Sequence, residues 1–183
     1  MKHDYNLKRA EKKYIKDIMD IESCSFASGI CEDEKTFLSR LELFNDGFYV
    51  LELNGRVAGY ICSEIWEFQK DPDRRCFDLG HNIRDYHDVR GTELYISSMG
   101  LHPVHRGKGA GRYMFEQALK NICERYPHLE TQILIVSDKW QKAIQIYRKN
   151  GFRELFTIDN FFMYKNNQSE NGIVMRNYRN KLR

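Results

Sequence analysis

The segment that most restricts this chain is a β-rich run that passes through a glycine loop into a helix. "TELYISSMGLHP" ends at Pro103, "HRGKGAGR" spans His105 to Arg112, and "AGRYMFEQALKNICERY" follows with apolar residues at helical spacing. A strand–loop–helix unit of this kind points backbone N–H groups and the positive end of a helix at one spot, which makes an anion site. Glycine allows a ligand to approach the backbone closely. Arg106, Lys108 and Arg112 add formal positive charge. Two common phosphate motifs do not fit. A P-loop needs glycine at 102 and Ser or Thr at 109, where His102 and Gly109 stand. The pattern GxGxxG needs glycine at 112, where Arg112 stands. A surface loop with solvated charges remains the plain alternative for the run taken alone.

The surrounding pattern gives the element order. A short strand near Tyr5–Lys8 precedes a helix carrying Tyr14, Ile15, Ile18, Met19 and Glu22 on its inner stripe. "DEKTFLSRLELF" predicts a second helix, with Asp33 as N-cap and Phe37, Leu38, Leu41 and Phe44 on one side. "FYVLEL" and "RVAGYICSEIWEF" form a hairpin through Asn54-Gly55. A polar connection runs from about 69 to 92, with room for a short helix. After the glycine-loop helix come the strand "TQILIVS", the helix "WQKAIQIYRKNGF" closed by Gly151, and two final strands. The order β-α-α-β-β-β-α-β-α-β-β is an α/β (α+β) arrangement, expected as one domain over residues 1–183 with a mixed, mostly antiparallel sheet between helices.

Composition narrows the function classes. The 183 residues carry 29 Lys and Arg against 26 Asp and Glu, a balance too even for a dedicated nucleic-acid binder. No run approaches the ~18 apolar residues of a membrane span, and the polar N-terminus has no signal core. Five cysteines without a CxxC pair read as reduced thiols in a cytoplasmic protein. Cys76, His81 and His87 match no zinc spacing, so no metal is expected.

What does fit the loop is (Arg/Gln)-x-x-Gly-x-(Gly/Ala), at Arg106, Gly109 and Gly111. Together with "AIQIYRKNGF" downstream and the helix–helix–hairpin prelude, it resembles the GCN5-related N-acetyltransferase (GNAT) superfamily over nearly the whole chain. The motifs are most similar to those of N-terminal amino-acid and ribosomal-protein alanine acetyltransferases. The resemblance implies acetyl-CoA as acetyl donor and a primary amine as acceptor, attacked directly. It implies that Arg106, Gly107, Lys108, Gly109, Ala110, Gly111 and Arg112 hold the pyrophosphate. Met99, Gly100 and Leu101 would pair with the pantetheine arm. Trp140 stands where many relatives carry a cofactor-contacting asparagine. Tyr147 matches the family tyrosine near the cofactor sulfur, a general acid for the leaving thiolate.

The general base is less defined. Tyr95 matches a position where members carry Glu, His or Tyr, and the partner histidine of N-terminal acetyltransferases is replaced here by Ile135. Glu93, one strand repeat away and expected on the same face as Tyr95 and Ser97, is the substitute base, with a solvated strand-end carboxylate as its plain alternative. Phe26, Phe161 and Phe162 match aromatics of a peptide-binding lip. At pH 7 an α-amine of pKa ~7.7–8.0 is about 10–15% neutral, against roughly 0.04% for lysine, so a weak base favours an α-amine. A peptide N-terminus is therefore the expected acceptor. A small amine (polyamine, aminoglycoside or amino-acid derivative) and an acetyl-CoA sensor without catalysis are the alternatives. The connection is expected over the acceptor side, and a homodimer is left open.

Overall fold

The computed structural model describes residues 5–179. Strand β1 (Tyr5–Arg9) leads to helices α1 (Ile15–Ser25) and α2 (Glu34–Leu43), then to the hairpin β2 (Phe48–Leu53) and β3 (Arg56–Trp66). After a connection with two single 3-10 turns come β4 (Glu93–Leu101), α3 (Ala110–Arg125), β5 (Thr131–Ser137), α4 (Gln141–Lys149), β6 (Arg153–Met163) and β7 (Ser169–Tyr178). The observed order is the expected one. The strands form one seven-stranded sheet, β1-β2-β3-β4-β5-β7-β6, in which only β4 and β5 run parallel. Local signals act as expected. The Asp33 carboxylate accepts the Thr36 N–H at 2.8 Å, and Asn54 and Gly55 both take positive φ in the hairpin turn.

Each strand sends alternate side chains to opposite faces. One face carries Leu51, Ile61, Ile65, Leu94, Ile96 and Leu134, and α3 and α4 cover it through residues such as Met114, Phe115 and Ile144. The opposite face is shared. Over β2 and β3 it is covered by α1 and α2 through Ile18, Ile21 and Phe37. Over β4, β5 and β7 it is covered by the 67–92 connection, whose Phe77 and Cys76 pack on Trp66 and Tyr95.

Two findings depart from the pattern. β4 contains an extra residue: Ile96 pairs with Ser63 and Ser98 with Cys62, so Ser97 has no opposite number. Beyond this bulge the alternation inverts, as a one-residue insertion requires. Ser98 therefore shares the face of Glu93 and Tyr95, as does Ser97 at the bulge itself, whose Oγ lies 3.4 Å from the Cys62 thiol on that side. Met99 and Leu101 join the α3 side.

The second departure is charge in the interior. α2 buries Arg40 beside Phe37. The Arg40 guanidinium grips the Glu32 carboxylate at 2.5 and 2.7 Å and lies 3.5 Å from Glu64, which also accepts from Trp66 Nε1 and meets His81 at 3.0 Å. Glu32 Oε1 in addition receives the Gly80 N–H at 2.8 Å. This network fastens the connection to α2, because charges removed from water need partners.

Candidate active site

β4 and β5 pair only from Glu93–Thr131 to Ile96–Leu134. β4 continues to Leu101 along β3, while β5 continues to Ser137 along β7. Between them a notch opens in which residues 97–101 of β4 lack a strand partner on that side. Met99, Gly100 and Leu101 thus present a backbone edge, the arrangement expected for an extended ligand that adds to a strand.

The glycine loop lies at the end of this edge. Gly107 (φ +78°) and Gly109 (φ +85°) both adopt left-handed backbone, and no atom lies within 4 Å of where a Cβ would stand at either. Glycine is needed there for conformation, and the space above is open. Gly109 is the N-cap of α3, whose first-turn N–H groups have no intrahelical acceptor. Gly111 has ordinary backbone, and its hypothetical Cβ would make normal contact with Met99 at 3.6 Å. Arg106 Nε donates to Leu101 O at 3.1 Å, Lys108 Nζ to Val104 O at 3.2 Å, and Arg112 Nε to Glu116 at 2.7 Å. All three cations remain exposed around the open space. β1 anchors the loop: Tyr5 donates to Lys108 O at 3.2 Å and packs on Tyr113. No sequence motif had pointed to Tyr5.

Across the notch, Trp140 stands between Phe26 at 5.4 Å and Phe162 at 5.1 Å, with Phe161 edge-on to Phe162. Four residues predicted for two different ligands therefore form one aromatic group. The α1–α2 loop and the β6–β7 hairpin also touch. Lys165 donates its N–H to Ser28 O at 3.1 Å, and a Cβ on Gly29 would fall 2.7 Å from Met163 O. The bridge residues line an open pocket of about 530 Å³, with Ile30, Tyr164 and Glu170 among its walls. Glu170 accepts from Ser137 Oγ at the β5 edge of the notch.

Tyr147 on α4 is half-buried against Phe115 and Phe152, and burial pushes its hydroxyl up to about 12. It is protonated at neutral pH and able to donate. The two expected base residues are placed otherwise. Tyr95 stacks on Trp66 at 3.9 Å beneath Phe77, and burial raises its hydroxyl well above the ordinary phenol value. Such a group stays protonated at neutral pH and offers no free phenolate to take a proton. Glu93 is no solvated strand end: it is 1% exposed and paired with Arg176 at 2.7 Å, whose guanidinium also holds the carbonyls of Gln69 and Lys70. His81 is engaged with Glu64, and His87 Nδ1 accepts the Ile65 N–H at 3.1 Å, so neither turns to Cys76.

Known proteins agree with this geometry. The model of the acetyltransferase (GNAT) family matches residues 15–152. An N-alpha-acetyltransferase of Sulfolobus acidocaldarius is 26% identical over 127 residues, 69% of this chain and 67% of that protein. The ribosomal-protein-S18-alanine N-acetyltransferase of Escherichia coli shares the fold with a TM-score of 0.72 at 19% identity, over 95% and 93% of the two chains. The loading GNATL domain of CurA from Lyngbya majuscula superposes with a TM-score of 0.77 at 14% identity, over 95% and 97%. With the loop, the notch and most of the chain matched, this protein belongs to the GNAT acetyltransferase family and is an acetyl-CoA-dependent N-acetyltransferase.

Proposed function

We propose that the acceptor is the α-amino group of a peptide or protein N-terminus. The carrying observation is the bridge between Ser28 and Lys165. It joins the two loops beside an open pocket lined by Phe26 and Trp140, an approach that suits a chain end better than the middle of an extended strand. The relatives named N-alpha-acetyltransferase support the same reading. Glu170 in the cavity wall also suits a small cationic amine, which is the second reading. An acetylation screen separates them: peptides with free N-termini, the same peptides blocked at the N-terminus but carrying lysine, and polyamines, aminoglycosides and free amino acids. Turnover confined to free N-termini is the expected result, and preferential turnover of small amines or of lysine overturns it.

In this proposal the β4 edge Met99–Leu101 receives the pantetheine arm, and the loop Arg106–Arg112 receives the pyrophosphate through first-turn N–H groups and nearby cations. Trp140 packs beside the thioester end with Phe26 and Phe162, and Tyr147 supplies a proton to the departing thiolate. Acetyl transfer is then a direct attack of the neutral amine on the thioester carbonyl. The Tyr147→Phe variant tests the donor: kcat is expected to fall roughly 10²-fold, while the Kd for acetyl-CoA stays within threefold. Equal loss of both would identify a packing role.

The proposal takes residues 1–183 as one acetyltransferase domain working in the cytoplasm. All five cysteines are free thiols, and no helix among the described residues is long and apolar enough to cross a membrane.

A further inference from the structure

With Glu93 held by Arg176 and Tyr95 under Trp66, the proton of the incoming ammonium needs another destination. α1 supplies a carboxylate that the sequence placed on its inner stripe. Glu22 is 1% exposed although it carries an ionisable group. Its Oε1 accepts the Glu32 N–H at 2.9 Å, and its Oε2 accepts the hydroxyl of Tyr60, which is itself fully buried on β3. The same Tyr60 oxygen lies 3.1 Å from Ser98 Oγ. Ser98 is half-buried, two residues beyond the point where β4 leaves β5, and immediately before Met99 on the open edge.

The path depends on two local features. The Ser97 bulge turns Ser98 onto the Tyr60 face; without it the hydroxyl would point toward α3. Gly100 leaves room for the phenol, since a Cβ there would stand 2.5 Å from the Tyr60 ring.

We infer that Ser98, Tyr60 and Glu22 form a proton path leading from the acceptor amine at the notch to a buried carboxylate. The ammonium N–H bond breaks and its proton joins Ser98 Oγ. Ser98 passes its own proton to Tyr60, and Tyr60 passes its own to Glu22 Oε2. The net products are a neutral amine and a Glu22 carboxylic acid. The acid returns the proton by the reverse path to water in the notch after turnover. Ser98 is the group that meets the amine; Tyr60 and Glu22 act through it.

The surroundings suit this task. Burial raises the Glu22 carboxyl to about 7, against the opposing effects of the Tyr60 hydroxyl, the Glu32 N–H and the Arg40 guanidinium; the Glu32 carboxylate adds to the rise. The Cys31 thiol donates to the backbone carbonyls of Glu22, Phe26 and Ala27, and Cys62, beside Tyr60, is held protonated by burial, its thiol raised to about 12. A base matched to the working pH is the most effective kind.

The inference rests on acetyl transfer to an amine and not on which amine is used. The assay therefore uses whichever acceptor the wild type turns over, so a failure of peptide substrates strikes the acceptor reading alone. Profiles of kcat/KM from pH 5.5 to 9 are expected to show an acid limb near 7 in the wild type. In Glu22→Gln and in Tyr60→Phe, kcat/KM at pH 7 is expected to fall toward the neutral fraction of the acceptor, about tenfold for an α-amine, and to recover as the limb moves to the acceptor's own pKa. The Kd for acetyl-CoA should stay unchanged. Ser98→Ala, at a half-buried site, repeats the test where the interior variants do not fold. ¹³C NMR of the free wild type should show one glutamate carboxyl titrating near 7 that is missing in Glu22→Gln. An unmoved acid limb, an equal loss at every pH, or no carboxyl titrating above the ordinary carboxylate range would each overturn the path.

Discussion

Replacing Gly109 with aspartate and Arg106 with alanine is expected to weaken acetyl-CoA binding more than a thousandfold. Gly109 has φ +85° at the N-cap of α3, in the open space where the pyrophosphate is proposed to sit. A side chain in left-handed backbone costs about 1–2 kcal/mol, and aspartate tolerates it better than most residues. The larger effect is charge. A carboxylate about 4 Å from a phosphate, at an effective dielectric of about 20, is repelled by roughly 4 kcal/mol. The backbone cost is borne by the free and the bound protein alike and falls on stability, so the repulsion alone sets the change in Kd, nearly a thousandfold at about 1.4 kcal/mol per tenfold. Loss of the Arg106 guanidinium adds to this. Gly109→Ala adds a methyl without a charge and should weaken binding far less, by about tenfold or under, while lowering stability by about 1 kcal/mol. Isothermal titration with acetyl-CoA reads both effects, and a double variant that binds within threefold of wild type removes the pyrophosphate from this loop.

The largest effect on stability is expected at Arg40. Its guanidinium is 2% exposed and lies between Glu32 and Glu64, which are 5% and 0% exposed. Arg40→Met leaves two carboxylates buried without their cation, a change that typically costs about 3–5 kcal/mol. For a chain of this size the melting temperature should drop on the order of 10 °C. The deficit should depend on pH in a definite direction. In the wild type, burial works against the Glu64 carboxylate, but His81 and Arg40 outweigh it and hold Glu64 below its ordinary value. Its ionised form therefore stabilises the fold above the ordinary carboxylate pKa, and that contribution is lost as pH falls through the lowered value. Without Arg40, protonation relieves the buried charges, so the deficit should be greatest at pH 7 and shrink toward pH 4. Thermal unfolding of both proteins across that range is the measurement. An Arg40→Met melting curve that matches wild type at pH 7 would mean the network is balanced by water.

The element order was readable because its signals are local. Asp33 caps α2 with its own side chain, Asn54-Gly55 closes a two-residue turn, and the apolar stripe of α3 repeats at the helical period. The glycine loop was readable for the same reason, since Gly107 and Gly109 answer a backbone requirement within a few residues. The stripe of α1 even carried Glu22, a charged residue at a core position, which is the kind of misfit that marks a special site.

The base was not readable, and β4 shows why. The alternation along "ELYISSMGL" predicts that Ser98 faces away from Tyr95, whereas its hydroxyl meets Tyr60 on the Tyr95 side. A bulge exists only when a neighbouring strand leaves one residue unpaired, and that register belongs to two strands. The environments of Glu93 and Arg40 have the same origin. Glu93 meets Arg176 from 83 positions away, and Arg40 meets Glu64 from a different element. The sequence by itself thus determined the succession of strands and helices and the glycine loop ahead of α3, because caps, turns and glycine backbone act over a few residues. Only the tertiary structure decided which carboxylates are ion-paired, which β4 hydroxyl meets Tyr60 and where the α1–α2 loop touches the β6–β7 hairpin. Those properties depend on burial and on contacts between distant segments, and no local pattern encodes them.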